Sequence, residues 1–520
     1  MRKLLPAAMG LFLWTHASAQ LPEDALRNSW TTPSGTARQQ AIGGAMGSIG
    51  GDITAGFINP AGLGLYRTGE LVVSPGWQLF NSTHSGYLGT NTAGAAVNHF
   101  NMGASGFVVT LPNMSPGVST TFALAVNRTA DFNSHVSYQG INANSSFAEQ
   151  YAEEFANSGL DINSGVASPD LSYGTRMALY SYLIDTATVG GAVQVIAQPN
   201  KSGKLFQQND LRSRGAITEI GISLAGNYYD KWYLGATLGV PILDYTRYQT
   251  YTETDVSGNT NNDFASFTYR ETYHTSGVGF NFKLGAIYSP SQPWRIGLAI
   301  TSPTDFGLTD RISASLDTKT ENYNNLKEVY MTSDSLDRLV GLSPSPNSVD
   351  YDLYTPWHFL LSGAYIFGGG QANVKSQKGF ITADLEYVTT HNPHYTPRIS
   401  DDGQSSGPNP YDPENQVIKE IYKGTIGARL GGEMKFDRWF ARAGGAYYSN
   451  PYSQSGQKAD KLYLTTGAGY RVKAFFVDLA YIAGFTHNID FPYRLADKTN
   501  TAASLHQTSG NIVLTFGMKW

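Results

Sequence analysis

The sequence predicts an all-β protein: a 14-stranded antiparallel transmembrane β-barrel with an N-terminal plug (hatch) and short helices in its extracellular loops. Three observations predict it. Apolar and polar residues alternate with period two over many segments, short and long connections between those segments alternate, and the chain ends on an aromatic residue inside such a segment. Period-two alternation marks a strand with one apolar and one polar face. In a soluble sandwich the apolar face is a core; in a membrane barrel it meets lipid.

The elements follow in chain order. Arg2 and Lys3, the short apolar run Leu4 to Trp14 and Ala17-Ser18-Ala19 predict a secretory signal peptide over 1–19, cleaved to leave Gln20 first. Residues 20–68 do not alternate and are rich in small residues, including Gly43-Gly44-Ala45-Met46-Gly47 and Gly50-Gly51-Asp52. Small residues permit tight turns and close backbone packing, as a plug inside a narrow barrel requires. No GxxxxGK[ST] follows a strand here, which removes a phosphate-loop reading.

The barrel is expected over 69–520. From Trp232 to Ile242, the residues Trp232, Leu234, Ala236, Leu238, Val240 and Ile242 share one face and Gly235, Thr237 and Gly239 the other. The stretches 277–288, 381–387 and 424–436 read the same way. Short links fall at Pro112 to Gly117, 229–231, 289–293, Gly368 to Ser376, 436–438 and 471–473. Long polar connections fall near 82–98, 132–210, 253–263, 305–354, 391–419, 450–459 and 487–507, the largest being 132–210 and 305–354. Six short and seven long connections join fourteen strands and put both ends of the barrel on one side. Trp232, Trp294 and Trp439 just after short turns, with Tyr228, Tyr288 and Phe436 just before them, predict a periplasmic aromatic girdle. The last strand alternates through Ile512, Leu514, Phe516, Met518 and Trp520. That ending resembles the C-terminal signal that bacterial outer-membrane barrels present to the barrel-assembly machinery.

Composition agrees and excludes. Charged residues are 15% of the 520, against about 25% in soluble proteins. Aromatics at 12% are too many for a disordered chain. A net charge of −5 gives no basic footprint, so no nucleic-acid partner is expected. The absence of cysteine removes disulfides, cysteine zinc sites and thiol nucleophiles. After residue 20 no apolar run reaches the ~18 residues of a helical span.

Residues Asn59-Pro60-Ala61-Gly62-Leu63, just before the first strand and after the Gly/Ala-rich segment from Ala41, resemble the FadL/TodX family of outer-membrane transport proteins. So do Tyr229 to Pro241, Leu284 to Tyr288 and Arg295 to Thr304. The resemblance implies a fourteen-stranded barrel with an N-terminal hatch, positioned by Asn59, Pro60 and Ala61. It implies passive uptake of a hydrophobic small molecule, such as a long-chain fatty acid, across the outer membrane of a Gram-negative bacterium, with outer-membrane lipids around the barrel. A barrel of this kind acting as an anchor or shuttle in a protein-secretion or surface-attachment system is the alternative.

Loop 132–210 contains two helical patterns. Ser146 with Glu149 makes a capping box ahead of Phe147, Tyr151 and Phe155. Tyr173, Met177, Tyr180 and Ile184 then form one stripe. These seven residues are the candidate extracellular substrate groove; the other reading has the helices pack on each other and on the barrel rim. Inward charges such as Glu219, Lys283, Asp384, Glu386, Arg429, Glu433, Arg442, Arg471 and Asp478 are expected to pair across the lumen. No catalytic constellation, cofactor site or metal site is expected. His391 and His394 are separated by a proline without a third ligand, and neither Asp401-Asp402 nor Asp255 to Asp263 has EF-hand spacing. No GxSxG is present.

Overall fold

The computed structural model describes residues 22–111, 117–291, 293–342, 347–368, 377–398 and 408–520. The expected signal peptide at 1–19, most of the links at 112–117 and 368–376, and Asp401-Asp402 lie outside the described residues.

Fourteen antiparallel strands close on themselves. They are β1 (Glu70–Val73 and Pro75–Tyr87), β2 (Val97–Met102 and Ser105–Leu111), β3 (Val118–Asp131, continued by Ser134–Asn142), β4 (Leu205–Tyr228), β5 (Trp232–Asp255), β6 (Ser266–Ser291) and β7 (Trp294–Thr301 and Asp305–Lys319). The circuit continues with β8 (Asn347–Tyr354 and His358–Phe367), β9 (Gly379–Val388), β10 (Thr425–Phe436), β11 (Trp439–Tyr448), β12 (Lys461–Val472), β13 (Phe475–Asp490) and β14 (Ala503–Lys519). Each strand pairs with its neighbour in sequence, and β1 pairs with β14 from Glu70↔Lys519 upward, so no edge is left open.

Register shows how the alternation is used. Between β5 and β6, Trp232 faces Tyr288 and Ala236 faces Leu284. Leu234, Ile242, Phe280, Phe282 and Leu284 are exposed on the outer face, while Tyr233, Thr237, Asn281 and Lys283 are buried inside. The same outward apolar band continues through Leu298, Leu361, Leu385, Leu430, Leu464 and Leu479. Burying one such side chain is worth roughly 1.5–3 kcal/mol; around the barrel this band is stable against hydrocarbon and not against water. Among the described residues no helix is long and apolar enough to cross a membrane.

The expected lumen charges do pair. Lys283 bonds Glu219, Arg429 reaches Glu386 at 3.0 Å and Asp384 at 3.7 Å, and Arg442 joins Glu433 at 2.7 Å to Asp478 at 2.6 Å. Arg471 instead stacks over Phe440, 4.4 Å from its centroid.

Several expectations are corrected. Much of what reads as long polar loop is strand continuing beyond the apolar band: 305–319 and 347–354 pair with each other, and 134–142 pairs with the start of β4. The polar stretch 82–98 is largely a hairpin, with Tyr87↔Thr90 at its tip. Above the membrane neither face meets lipid, so apolar alternation is no longer required although the backbone ladder persists. Strands β1, β2, β7 and β8 are also interrupted, near Ser74, Gly103, Pro303 and Pro356, where proline or a bend breaks the ladder.

Candidate functional site

The site is built from two bodies that fill the barrel. The first is residues 22–65: helices α1 (Pro22–Ser29), α2 (Ala37–Ala41) and α3 (Ala55–Ile58), then a 3-10 turn at Pro60–Leu65. It touches strands on every side of the wall and so occupies the lumen. The Ala37 amide donates to Thr515 of β14 (2.7 Å), that of Gly43 to Thr465 of β12 (2.9 Å), and that of Gly47 to Asp384 of β9 (3.1 Å). Arg38 bonds Glu433 of β10 at 3.1 Å, and Asn127 of β3 donates to Ser34 at 3.1 Å.

Two contacts explain the small residues. Gly43 has φ +67°, and a Cβ there would lie 2.6 Å from the backbone of Gly445. Asn59 and Pro60 rest on Gly235 and Gly285, which are register partners on β5 and β6. A Cβ on Gly235 would meet the Pro60 carbonyl carbon at 2.4 Å, and one on Gly285 would meet Asn59 Oδ1. Asn59 is fully buried; its Oδ1 accepts the Ala61 amide (3.1 Å), capping the 3-10 turn. Its Nδ2 donates to the Gly47 carbonyl at 2.6 Å and approaches the Leu298 and Ala286 carbonyls at 3.3 and 3.4 Å. One side chain thereby joins two stretches of the lumen segment to the barrel wall.

The second body is the extracellular cap from loop 132–210. It holds α4 (Ala148–Ser158), α5 (Ile162–Ala167), α6 (Tyr173–Tyr180) and a hairpin of Ile184–Val189 with Ala192–Ala197. The capping box forms: Glu149 accepts the Ser146 amide at 2.8 Å, and Ser146 Oγ accepts the Ala148 amide at 3.0 Å. Glu253, well above Ile242 on β5, ties this start to the wall, accepting Ser146 Oγ (2.5 Å), the Phe147 amide (2.7 Å) and Gln207 (2.8 Å). Burial pushes its carboxyl up to about 7.

The candidate groove residues separate. Phe147, Tyr151 and Tyr173 line the interior cavity. Phe155 and Met177 are buried in a core shared with Leu179, Tyr251 and Phe267, with Phe147 stacked on Tyr251 at 4.2 Å. Tyr180 is exposed. Ile184 is buried too, but not on the helix: α6 stops at Ser181, Tyr182 turns the chain with φ +57°, and Ile184 opens the hairpin. A residue with positive φ cannot continue a right-handed helix, so the four-residue stripe ends at its third member. Helix α5 was not visible as a pattern, being only 6 residues long.

Between the two bodies lies a cavity of about 2270 Å3, beyond the 300–1,000 Å3 of most ligand pockets. Aromatic rings from the cap and from the wall meet there, with Trp30 just after α1. Carboxylates outnumber cations in its lining; of the cations, Arg27 pairs with Asp24 at 2.5 Å and lies 3.7 Å over the Tyr245 ring, and Arg247 pairs with Glu271 at 2.8 Å. Burial pushes the cavity-lining Glu153 on α4 up to about 7. Tyr245, Arg247, Glu271 and Tyr273 were missed in the sequence, although continuing the inward parity of β5 and β6 past the apolar band finds them.

A closed fourteen-stranded barrel whose lumen holds an N-terminal segment and whose mouth is capped by loop helices defines the class of fold. The chain has the fold of FadL/TodX proteins. A Pseudomonas aeruginosa FadL homologue is 14% identical, with 94% of this chain and 99% of that chain covered at a TM-score of 0.55. The toluene transporter TodX of P. putida is 12% identical, with 94% and 99% covered at a TM-score of 0.52. No protein family and no curated protein matches the sequence.

Proposed function

We propose that this protein carries hydrophobic small molecules, such as long-chain fatty acids, passively through the outer membrane of a Gram-negative bacterium. The observation that carries this reading is the cavity of about 2270 Å3 joining the extracellular cap to the lumen segment. An apolar solute crosses a polysaccharide-coated leaflet poorly, and an aromatic-lined interior lowers that barrier without an energy source. The fold supports it, since one protein of the same fold is a toluene transporter. On this reading residues 1–19 are removed on export, and 20–68 act as a hatch held by Asn59, Pro60 and Ala61. Residues 69–520 form the lipid-embedded barrel, which the assembly machinery recognises through the strand ending at Trp520. Phe147, Tyr151 and Tyr173 contact the cargo, while Phe155, Met177 and Ile184 support them from behind.

The test is lipid extraction and mass spectrometry of the purified mature protein, paired with uptake of a labelled apolar compound. A bound hydrophobic molecule, and uptake reduced by Tyr173→Asp at normal surface abundance, is the expected result. An empty cavity, no uptake and co-purification with a large secretion complex would replace this reading with the anchor or shuttle role.

A further inference from the structure

Three histidines far apart in the sequence stand in one row of the barrel. His84 on β1 is the register partner of His506 on β14, and His506 is the partner of His487 on β13. Directly opposed residues of antiparallel strands hold their Cβ atoms about 4.5–5.5 Å apart on the same face. That face is the outer one. His84 is exposed between buried Thr83 and Ser85, and His506 is exposed next to buried Leu505. The row lies one outward position above Phe485, an exposed apolar ring of β13, and therefore at the extracellular edge of the lipid-facing band.

Two of the three rings are already in contact. The rings of His487 and His506 have centroids 4.9 Å apart and planes at 90°. Nδ1 of His487 is 3.1 Å from Oδ1 of Asp460, so with the proton on Nδ1 the carboxylate fixes the tautomer and leaves Nε2 as a lone-pair donor. His84 has no hydrogen-bond partner among the described residues and is free to turn toward its neighbours. As they stand, no three His, Cys, Asp or Glu side chains converge among the described residues; the register supplies three imidazoles side by side on adjacent strands, which turn about their side-chain bonds to meet one ion.

We propose that His487 and His506, completed by His84, bind a divalent transition-metal ion, and that this ion clips the seam where the first strand of the barrel meets the last two. Imidazole ligands select zinc, nickel or copper over magnesium or calcium, with metal–nitrogen bonds near 2.0–2.1 Å for zinc. Asp460 is the positioning residue, and water fills the remaining positions.

Untagged mature protein, its folding checked by heat-dependent gel migration, is titrated with Ni2+ by calorimetry and with Cu2+ by electron paramagnetic resonance. The expected result is one ion bound at micromolar concentration, nitrogen hyperfine structure on copper, and a raised unfolding temperature with Ni2+. His487→Gln/His506→Gln should weaken Ni2+ binding at least 100-fold and lose the nitrogen signal, Asp460→Asn should weaken it about 10-fold, and His394→Gln should leave it unchanged. Unaltered Ni2+ binding in the double variant, or none in the folded wild type, overturns the site. Binding without a rise in unfolding temperature overturns the clip.

Discussion

The lumen segment and the extracellular cap occupy the same barrel and are held there by different balances of polar and apolar contact. The lumen segment relies on donors and acceptors: Ala37, Gly43 and Gly47 amides on wall side chains, Arg38 on Glu433, and Asn59 on carbonyls. The cap relies on rings: Phe147, Tyr151 and Phe155 buried with Tyr251, Phe267 and Tyr493. Net contributions of single hydrogen bonds are about 1 kcal/mol, whereas a buried phenylalanine is worth about 3–5 kcal/mol. The first body therefore combines many small polar contacts under a strict steric limit with small apolar seats, such as Ile42, Met46 and Ile49 against Ile366 and Phe380, and the second is a ring-rich hydrophobic core tied down by carboxylates including Glu253 and Asp337.

The comparison is broken most severely at Gly43. Valine there meets the Gly445 backbone and a strained φ, costing roughly 4 kcal/mol. The segment should leave its seat, and vesicles containing the variant should leak small hydrophilic solutes; a variant as tight as wild type would show that the seat does not hold the segment. Phe147→Ala should cost the cap about 3 kcal/mol, speeding protease cleavage within 132–210 while leaving barrel unfolding unchanged.

The third prediction sharpens the role of the anchor. Glu253 is held above its ordinary range, at about 7, so the folded cap binds that proton more tightly than the unfolded loop does. The cap is then most stable at acid pH and loses about 2 kcal/mol as pH rises from 5 to 8. Protease resistance of the cap should fall over that window, and Glu253→Gln should reduce the dependence, with Glu153 on α4 supplying the remainder. Asn59→Ala should cost about 1–2 kcal/mol by leaving buried partners unpaired, read as faster amide exchange over 47–62 with the cap unaffected. The smallest effect is at exposed Tyr180, where aspartate should change cap stability by under about 0.5 kcal/mol.

Much of this was legible in the sequence because lipid writes a strong pattern. Where Leu234 and Ile242 face hydrocarbon, alternation is enforced, and strand number and the inward placement of charges such as Arg442 and Glu433 followed from parity, while which charge meets which came only with the register. Above the apolar band that signal vanishes. Residues 305–319 and 347–354 read as loop because both faces of an exposed ladder tolerate polar residues. The groove was half legible: the capping box at Ser146 gave the start of α4, but nothing local to Ile184 told a helix from a hairpin. The histidine row was not legible, since residues 84, 487 and 506 become neighbours only when the barrel closes.

One feature of the wall bears on the proposed hatch. Opposite Ile42 and Gly43, β10 and β11 present Gly431 and Gly444, paired in register, so the segment lies on bare peptide groups and not on side chains. Withdrawal would uncover amide dipoles there, beside an apolar seat where Ile42 and Met46 had covered Ile366 and Phe380. On the proposed hatch reading, release of the segment sets protein against water for the same peptide partners at this point of the wall.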